Sequence, residues 1–549
     1  MRNLLMLMPG LSCFLGSGLP LHGEDLNPYI RVGGLDQFAN GFAGNGRSFG
    51  VLPDLDGDHL SEFALRRYED GIPGKPDGTV WVGRGADFSN LVVLRGSKDL
   101  DDVSDFGWHL ASGDVDGDGA RELLVGWPFF EIYGAILAYD TKTWQLKKTY
   151  RGSEELVRIG YVFDSGFDYD DDGLEDILAG APGTPGAPGD YNQGAVTVLS
   201  GATGLPFFIV PGLHAGESFP RSLEVVYSPL DGSLEGFLAG SSRYREGTEF
   251  LGRALYLSGQ TGQVLWEKTG RRNRIHWYGS SVLSMGDLNA DGIGDFAVDS
   301  GSRDFTEENI HVIQVFLGGV FTKYFEMEEH LSDSWYSTIA LSSFMSEDVN
   351  GDGVRDVISP ILSYDPKMGN FFIFFSGADG SLLDVWDREQ GGGLMYYEYF
   401  HSMGDVSGDG RDDLLMVDPW YHPEREPRVY SIPMLRLEEG DSTVPDALVL
   451  DAPGHGRGLF QLLVSSGRDV GVPLGLRRIP LNPGGLFDWS YGRFIHGVLD
   501  DRGHAEIALD PLFVPEGLRQ MTDLYVGWIG YHPDWLNSVS VISNSIQIH

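Results

Sequence analysis

The chain has 549 residues, with 80 Asp or Glu against 39 Lys or Arg, a formal net charge of −41. So acidic a chain excludes nucleic acid as a partner, since phosphates need a basic face, and 42% hydrophobic residues exclude a disordered acidic tail. Glycine, at 77 residues with no collagen period, signals many tight turns and an all-β chain of more than one domain.

Residues 1–23 read as an export signal: Arg2 gives a minimal positive region, Leu4 to Met8 and Leu11 to Leu15 are apolar, and Gly16, Ser17 and Gly18 are small. Cleavage after Gly18 or Gly23 removes Cys13, the only cysteine, and with it any disulfide. Cys13 as a lipidation site is disfavoured by Gly10 three places upstream. No later stretch approaches the roughly 18 uninterrupted apolar residues of a membrane span. An exported chain without disulfides needs another staple for its loops, and the acidic excess suggests metal.

From residue 25 to 440 one template repeats: DLDGDHLSEF, DVDGDGARELL, DYDDDGLEDIL, DLNADGIGDFA, DVNGDGVRDVI and DVSGDGRDDLL begin at Asp54, Asp114, Asp168, Asp287, Asp348 and Asp405. A decayed copy at Ser228, SPLDGSLEGFLAG, keeps the glycine turn and apolar run but not the acids. Seven copies give a mean period of about 58 residues. In the second unit, period-2 apolar runs predict strands from Trp108 to Gly113, Glu122 to Gly126, Gly134 to Tyr139 and Leu146 to Tyr150. The turn before the fourth strand recurs as SGATG at Ser200, SGQTG at Ser258 and SGADG at Ser376. Four antiparallel strands per unit, seven times over, predict a seven-bladed β-propeller. The segment from Tyr29 to Gly33 is expected to close the last blade as its outer strand.

Each acidic loop places side-chain oxygens at positions 1, 3, 5 and 9 and a backbone carbonyl at position 7, the alternating hard-oxygen pattern that suits Ca²⁺. The first three loops are Asp54, Asp56, Asp58 and Glu62 with Leu60; Asp114, Asp116, Asp118 and Glu122 with Ala120; and Asp168, Asp170, Asp172 and Asp176 with Leu174. The later three are Asp287, Asn289, Asp291 and Asp295 with Ile293; Asp348, Asn350, Asp352 and Asp356 with Val354; and Asp405, Ser407, Asp409 and Asp413 with Arg411. The carboxylate count falls from four to three in the later loops, so weaker binding is expected there. Up to six Ca²⁺ are expected. An EF-hand is excluded because the last acid falls at position 9, not 12, and runs straight into an apolar strand; solvated acidic turns without metal are the plainer alternative.

The segments FGWHLASGDVDGDGARELLVGWP and IGYVFDSGFDYDDDGLEDILAGAP resemble the FG-GAP repeat, and residues 30–440 resemble the propeller at the N-terminus of integrin α chains. Phe49-Gly50 departs by standing only five residues before its loop, and Tyr278-Gly279 and Tyr396-Tyr397 replace Phe-Gly. The resemblance implies seven blades and a ligand on the face opposite the calcium loops. Trp127, Trp420 and Tyr421 fall in connections on that face and are candidate ligand contacts, whereas aromatics entering a unit, such as Trp277 and Tyr278, suit packing between blades.

Residues 445–549 carry short β-like runs separated by prolines and read as a small C-terminal β-sandwich of unassigned role. No HExxH, nucleophile elbow or phosphate loop is present; His109, Asp164 and His401 fall on predicted innermost strands and could approach a central channel. The expected function is a secreted, calcium-binding module for an extracellular protein or glycan without catalysis, against a polysaccharide lyase or hydrolase, or a purely structural surface component.

Overall fold

The computed structural model describes residues 105–186, 192–271 and 277–301 almost without a break, shorter stretches around them, and, at 30–34 and beyond 399, little but strands. The expected export segment at 1–23 lies outside the described residues. No helix occurs among the described residues, and none is long and apolar enough to cross a membrane.

Strands pair in chain order into successive antiparallel sheets. The second sheet runs Leu110–Gly113, Glu122–Trp127, Ala135–Tyr139 and Leu146–Arg151. The first spans Phe49–Leu52 to Asn90–Arg95, the third Val162–Phe167 to Pro206–Pro211, the fourth Ser222–Tyr227 to Val264–Thr269 and the fifth Val282–Gly286 to Thr322–Leu331. In the sixth, Val357–Leu362 pairs with both Ile339–Ala340 and Phe344–Met345. A seventh set runs Tyr399–Ser402, Leu414–Val417 and Arg428–Ser431, to which Ile30–Gly34 adds as the outer strand, one residue along from the expected segment. The decayed fourth unit forms a complete four-stranded sheet. First strands touch in sequence, from Phe49–Leu52 through Leu110–Gly113, Val162–Phe167 and Ser222–Tyr227 to Val282–Gly286. This is a β-propeller.

The second strand of each sheet shows how sequence sets this stacking. Glu122–Trp127 is buried on both sides, and its alternating residues serve different cores. Leu123 and Val125 pack with Leu52, Val80 and Phe106 toward the first sheet; Leu124 packs with Phe163, Ile177 and Ala179 toward the third. Leu178 then faces Phe237 and Ala239 of the fourth, and Leu238 faces Phe296 and Val298 of the fifth. A near-continuous apolar run is therefore required, because both faces of a sheet are covered.

The residue entering each sheet is a wedge between neighbours. Phe106, Ile159, Phe219 and Tyr278 are all fully buried, and the last three bridge to Gly134, Gly194 and Gly252 of the preceding sheet. Phe219-Pro220 therefore replaces Phe-Gly in the fourth unit, a substitution the motif search passed over.

One expected boundary moves. Met434–Glu439, assigned from sequence to the propeller, pairs with Pro445–Asp451, which pairs with His504–Ala508; the propeller strands therefore end at Ser431 rather than near 440. A second C-terminal sheet orders His496–Val498, Leu459–Ser465, Leu524–Tyr531 and Val539–Ile548. The last strand touches Met434–Glu439.

Candidate metal centre

The acidic loops join first to second strands, so they share one rim with the turns between third and fourth strands. Each described loop is built by the same bonds. The position-1 carboxylate accepts backbone N–H groups from the turn it begins: Asp54 from Gly57 and His59, Asp114 from Gly117 and Gly119, Asp168 from Asp172 and Gly173, Asp287 from Asp291 and Gly292. Position 5 accepts from position 7, as Asp58 does from Leu60, Asp118 from Ala120, Asp172 from Leu174 and Asp291 from Ile293. These Asx-type turns explain why Asp leads each loop. Positions 4 and 6 are left-handed, which Gly117 (φ 76°) and Gly119 (φ 80°) adopt freely, whereas Ala290 (φ 59°) does not.

Position 9 is the buried acid of the loop. Glu62, Glu122, Asp176, Asp295 and Asp356 are all essentially inaccessible. Asp176, Asp295 and Asp356 accept from the N–H of Gly201, Gly318 and Gly377, at 2.6, 2.8 and 3.0 Å. The first two sheets have Glu at position 9 and no such bond. Burial pushes Glu62 up to about 7 and Asp176 up to about 6, with the neighbouring loop carboxylates adding to both, and also raises Glu122 and Asp295.

Carboxylate oxygens converge within 4.8 Å in three places: Asp54, Asp56, Asp58 and Glu62; Asp114, Asp116 and Glu122; and Asp168, Asp170 and Asp176. Among the described residues the acids of the fifth loop, in which Asn289 takes position 3, form no such group. Asp348, Asn350 and Asp352, and the whole of Asp405, Ser407, Asp409, Arg411 and Asp413, lie outside the described residues.

The first loop fits a hard cation. Glu62 Oε2 accepts from the N–H of Leu55, but Oε1 is buried without a hydrogen-bond partner, an arrangement that costs free energy unless something positive meets it. Arg84 reaches Asp56 at 3.3 Å from the exposed side and leaves Oε1 unmet. The second loop differs: the Lys147 ammonium sits on Asp116, 3.1 Å from Glu122 Oε1 and 3.0 Å from Asp140. Those bonds hold Lys147 well above the ordinary lysine range and Asp140 down at about 2.

These repeated loops on a propeller rim can be set against known proteins. No family model matches the chain. Integrin alpha-8 of Mus musculus is 26% identical over 273 residues, 46% of this chain and 21% of its own length. Integrin alpha-5 of Xenopus laevis is 29% identical over 162 residues, 26% of this chain and 15% of its own. The chain is integrin-α-like. Integrin alpha-PS2 of Drosophila melanogaster is 30% identical over 169 residues, and the chain covers only 11–21% of the length of these three relatives. Among solved structures, the Dos1 propeller aligns over 68% of this chain and 76% of its own, with TM-score 0.40 and 14% identity.

The ligand candidates of this integrin-α-like propeller fare differently. Trp127 is only 2% exposed: its strand extends one residue beyond the expected end, and the indole packs edge-on to Phe106 at 5.4 Å and against Phe130 at 4.8 Å. It is a core residue, not a contact. Trp420 and Tyr421 lie outside the described residues. Tyr278 is fully buried between sheets, as the packing reading expected. Of the expected channel residues, Asp164 and His401 occupy the third place of their first strands, while His109 precedes its strand. Glu224, not singled out from sequence, holds the same place in the fourth sheet. Burial pushes Asp164 up to about 6 and Glu224 up to about 8, and the two carboxyls lie on touching strands.

Proposed function

We propose that this chain is an exported, calcium-stiffened propeller of seven blades, followed by a C-terminal β-sandwich, that binds an extracellular protein or glycan on the face opposite its acidic loops. The similarity to integrin α chains supports an adhesion-like extracellular role. The observation that carries the calcium reading is the buried, unpartnered Glu62 Oε1 facing Asp54, Asp56 and Asp58. Asp168, Asp170 and Asp176 would hold a second ion. Bound calcium supplies positive charge that offsets the repulsion of three or four carboxylates and ties the two ends of a hairpin together. The chain's own part is the preset turn: backbone N–H groups orient positions 1 and 5 before any ion arrives.

The test is a protein and glycan array run with calcium and with excess chelator, followed by paired replacement of Trp420 and Tyr421 with Ala. Calcium-dependent capture lost in the double variant supports the reading. Affinity unchanged in that variant, but abolished by folded variants of the acidic rim, places the ligand on the other face.

Asp164 and Glu224 favour one second reading, a lyase or hydrolase working from the channel, because two carboxyls with raised affinity for protons lie on adjacent inner strands. Turnover of any polysaccharide that vanishes in Glu224→Gln would select it.

A further inference from the structure

We propose that the second acidic loop carries its own cation: the Lys147 ammonium stands where calcium would stand in the first and third loops, so this hairpin is locked without metal. The inference rests on the calcium reading of those two loops and concerns a residue outside every loop motif. Lys147 Nζ is bonded to Asp116 and lies 3.4 Å from Asp118, 3.1 Å from Glu122 and 3.0 Å from Asp140. Three of these four are the loop's own positions 3, 5 and 9.

The strand register shows why the lysine arrives there. In five sheets the fourth strand begins with a one-residue bulge, a device that re-aims a side chain, whereas in the fifth Thr322 and Lys323 pair in register and the bulge falls further along. In the second sheet Tyr139 pairs with Leu146 and Ala138 with Lys148, leaving Lys147 as the bulged residue. The same place is held by Leu91 in the first sheet, Phe207 in the third, Leu265 in the fourth and Leu383 in the sixth. Only the second sheet of these five has a cation there.

A second departure falls in the same sheet. The residue opening the third-to-fourth turn bonds its N–H to the carbonyl five residues on, and it is Ser200, Ser258 or Ser376 in three other sheets but Asp140 here. Asp140 Oδ1 closes the turn by accepting from the N–H of Lys142 and Thr143, and its Oδ2 pairs with Lys147. A serine closes the turn equally well, as Ser200 does by accepting from Thr203; the added charge has its use in the lysine. Glu122 consequently has both oxygens engaged, by Val115 N–H and by Lys147, where Glu62 has one unmet.

A cation tethered by four methylenes competes as an intramolecular ligand, with an effective concentration on the order of millimolar. Calcium must displace it and separate its ion pairs, so affinity at the second loop should fall about tenfold or more below that of the first and third. By carboxylate count alone the second loop would rank among the tightest.

Hydrogen exchange of the full chain, followed by mass spectrometry in excess chelator and in calcium, tests this. Calcium should slow exchange in peptides covering 54–62 and 168–176 and leave 114–122 unchanged. In Lys147→Met, 114–122 should exchange faster in chelator and become calcium-protected, with one more ion bound at equilibrium dialysis. Leu91→Lys should make 54–62 insensitive to calcium, and it reads the same principle if Lys147→Met does not fold. Protection of 114–122 alongside the other two loops in the unmodified chain overturns this inference alone. Protection of none of the three overturns it together with the calcium reading. An unaltered response of 54–62 in folded Leu91→Lys also overturns it.

Discussion

Glu62 and Asp176 make the metal-free protein pH-sensitive in a direction opposite to that of ordinary surface acids. With Glu62 raised from 4.5 to about 7 and Asp176 from 3.8 to about 6, the folded chain keeps protons that the unfolded chain has released. Stability therefore falls as pH rises from about 4 to 7. A bound cation favours the ionised carboxylates and reverses that slope. Melting in excess chelator should shift down between pH 5 and pH 8, while in calcium it should shift up or stay level. Glu62→Gln should flatten the chelator slope and raise the melting temperature at pH 8. A chelator curve that rises with pH would contradict the burial argument. Ala290 offers a separate check on the loop backbone. Its left-handed φ of 59° costs roughly 1–2 kcal/mol for a residue with a Cβ, against about 0.4–1 kcal/mol of unfolded-chain entropy that glycine adds. Ala290→Gly should stabilise by about 0.5–1 kcal/mol in denaturant melts.

At the scale of the element, loop and turn are matched parts. Where the turn reads Ser-Gly, the glycine lies so close to the loop that an added Cβ at Gly201 would come within 2.1 Å of the Glu175 carbonyl oxygen, and one at Gly377 within 1.9 Å of that of Arg355. That approach lets a short Asp at position 9 reach the turn N–H; in the second sheet, which has Thr141 in the glycine's place, position 9 is the longer Glu122. Gly201→Ala should cost about 1–3 kcal/mol, in the range of overpacked cores, and weaken calcium binding at 168–176 with it. A calorimetric melt and a calcium titration check both; an unchanged melt would refute the tight contact. The loops were legible in sequence because their chemistry lies within nine consecutive residues. Trp127 was misread because one extra paired residue turns a loop aromatic into a core one, and Lys147 was invisible because a strand bulge brings it to Asp116 across 31 positions. Phe219 was missed because only three-dimensional pairing equates Phe-Pro with Phe-Gly.

For the whole molecule, the decisive joint is where the chain meets itself. The apolar runs that stack one sheet on the next were readable in the sequence, but they do not say how the ends of a ring are held. Here Ile30 pairs with Ser431, Arg31 with Tyr430, Gly33 with Val429 and Gly34 with Arg428, so the first described strand completes the sheet made by the last repeat. Removing residues 1–34 would leave Arg428–Ser431 as an open edge, with backbone groups exposed for pairing to another chain. At roughly 0.5–1.5 kcal/mol net for each backbone hydrogen bond, losing such a strand should cost about 2–4 kcal/mol. It should act chiefly on the seventh sheet and its two neighbours, since the other sheets are held by their own cores. The truncated chain should therefore melt earlier, exchange amide protons faster at 414–417 and 428–431 than at 122–127, and associate at high concentration in light scattering. A synthetic peptide covering residues 25–36, added in excess, should restore protection at 428–431. If the truncated chain stays monomeric and melts as the full chain does, the ring is closed by something other than this strand.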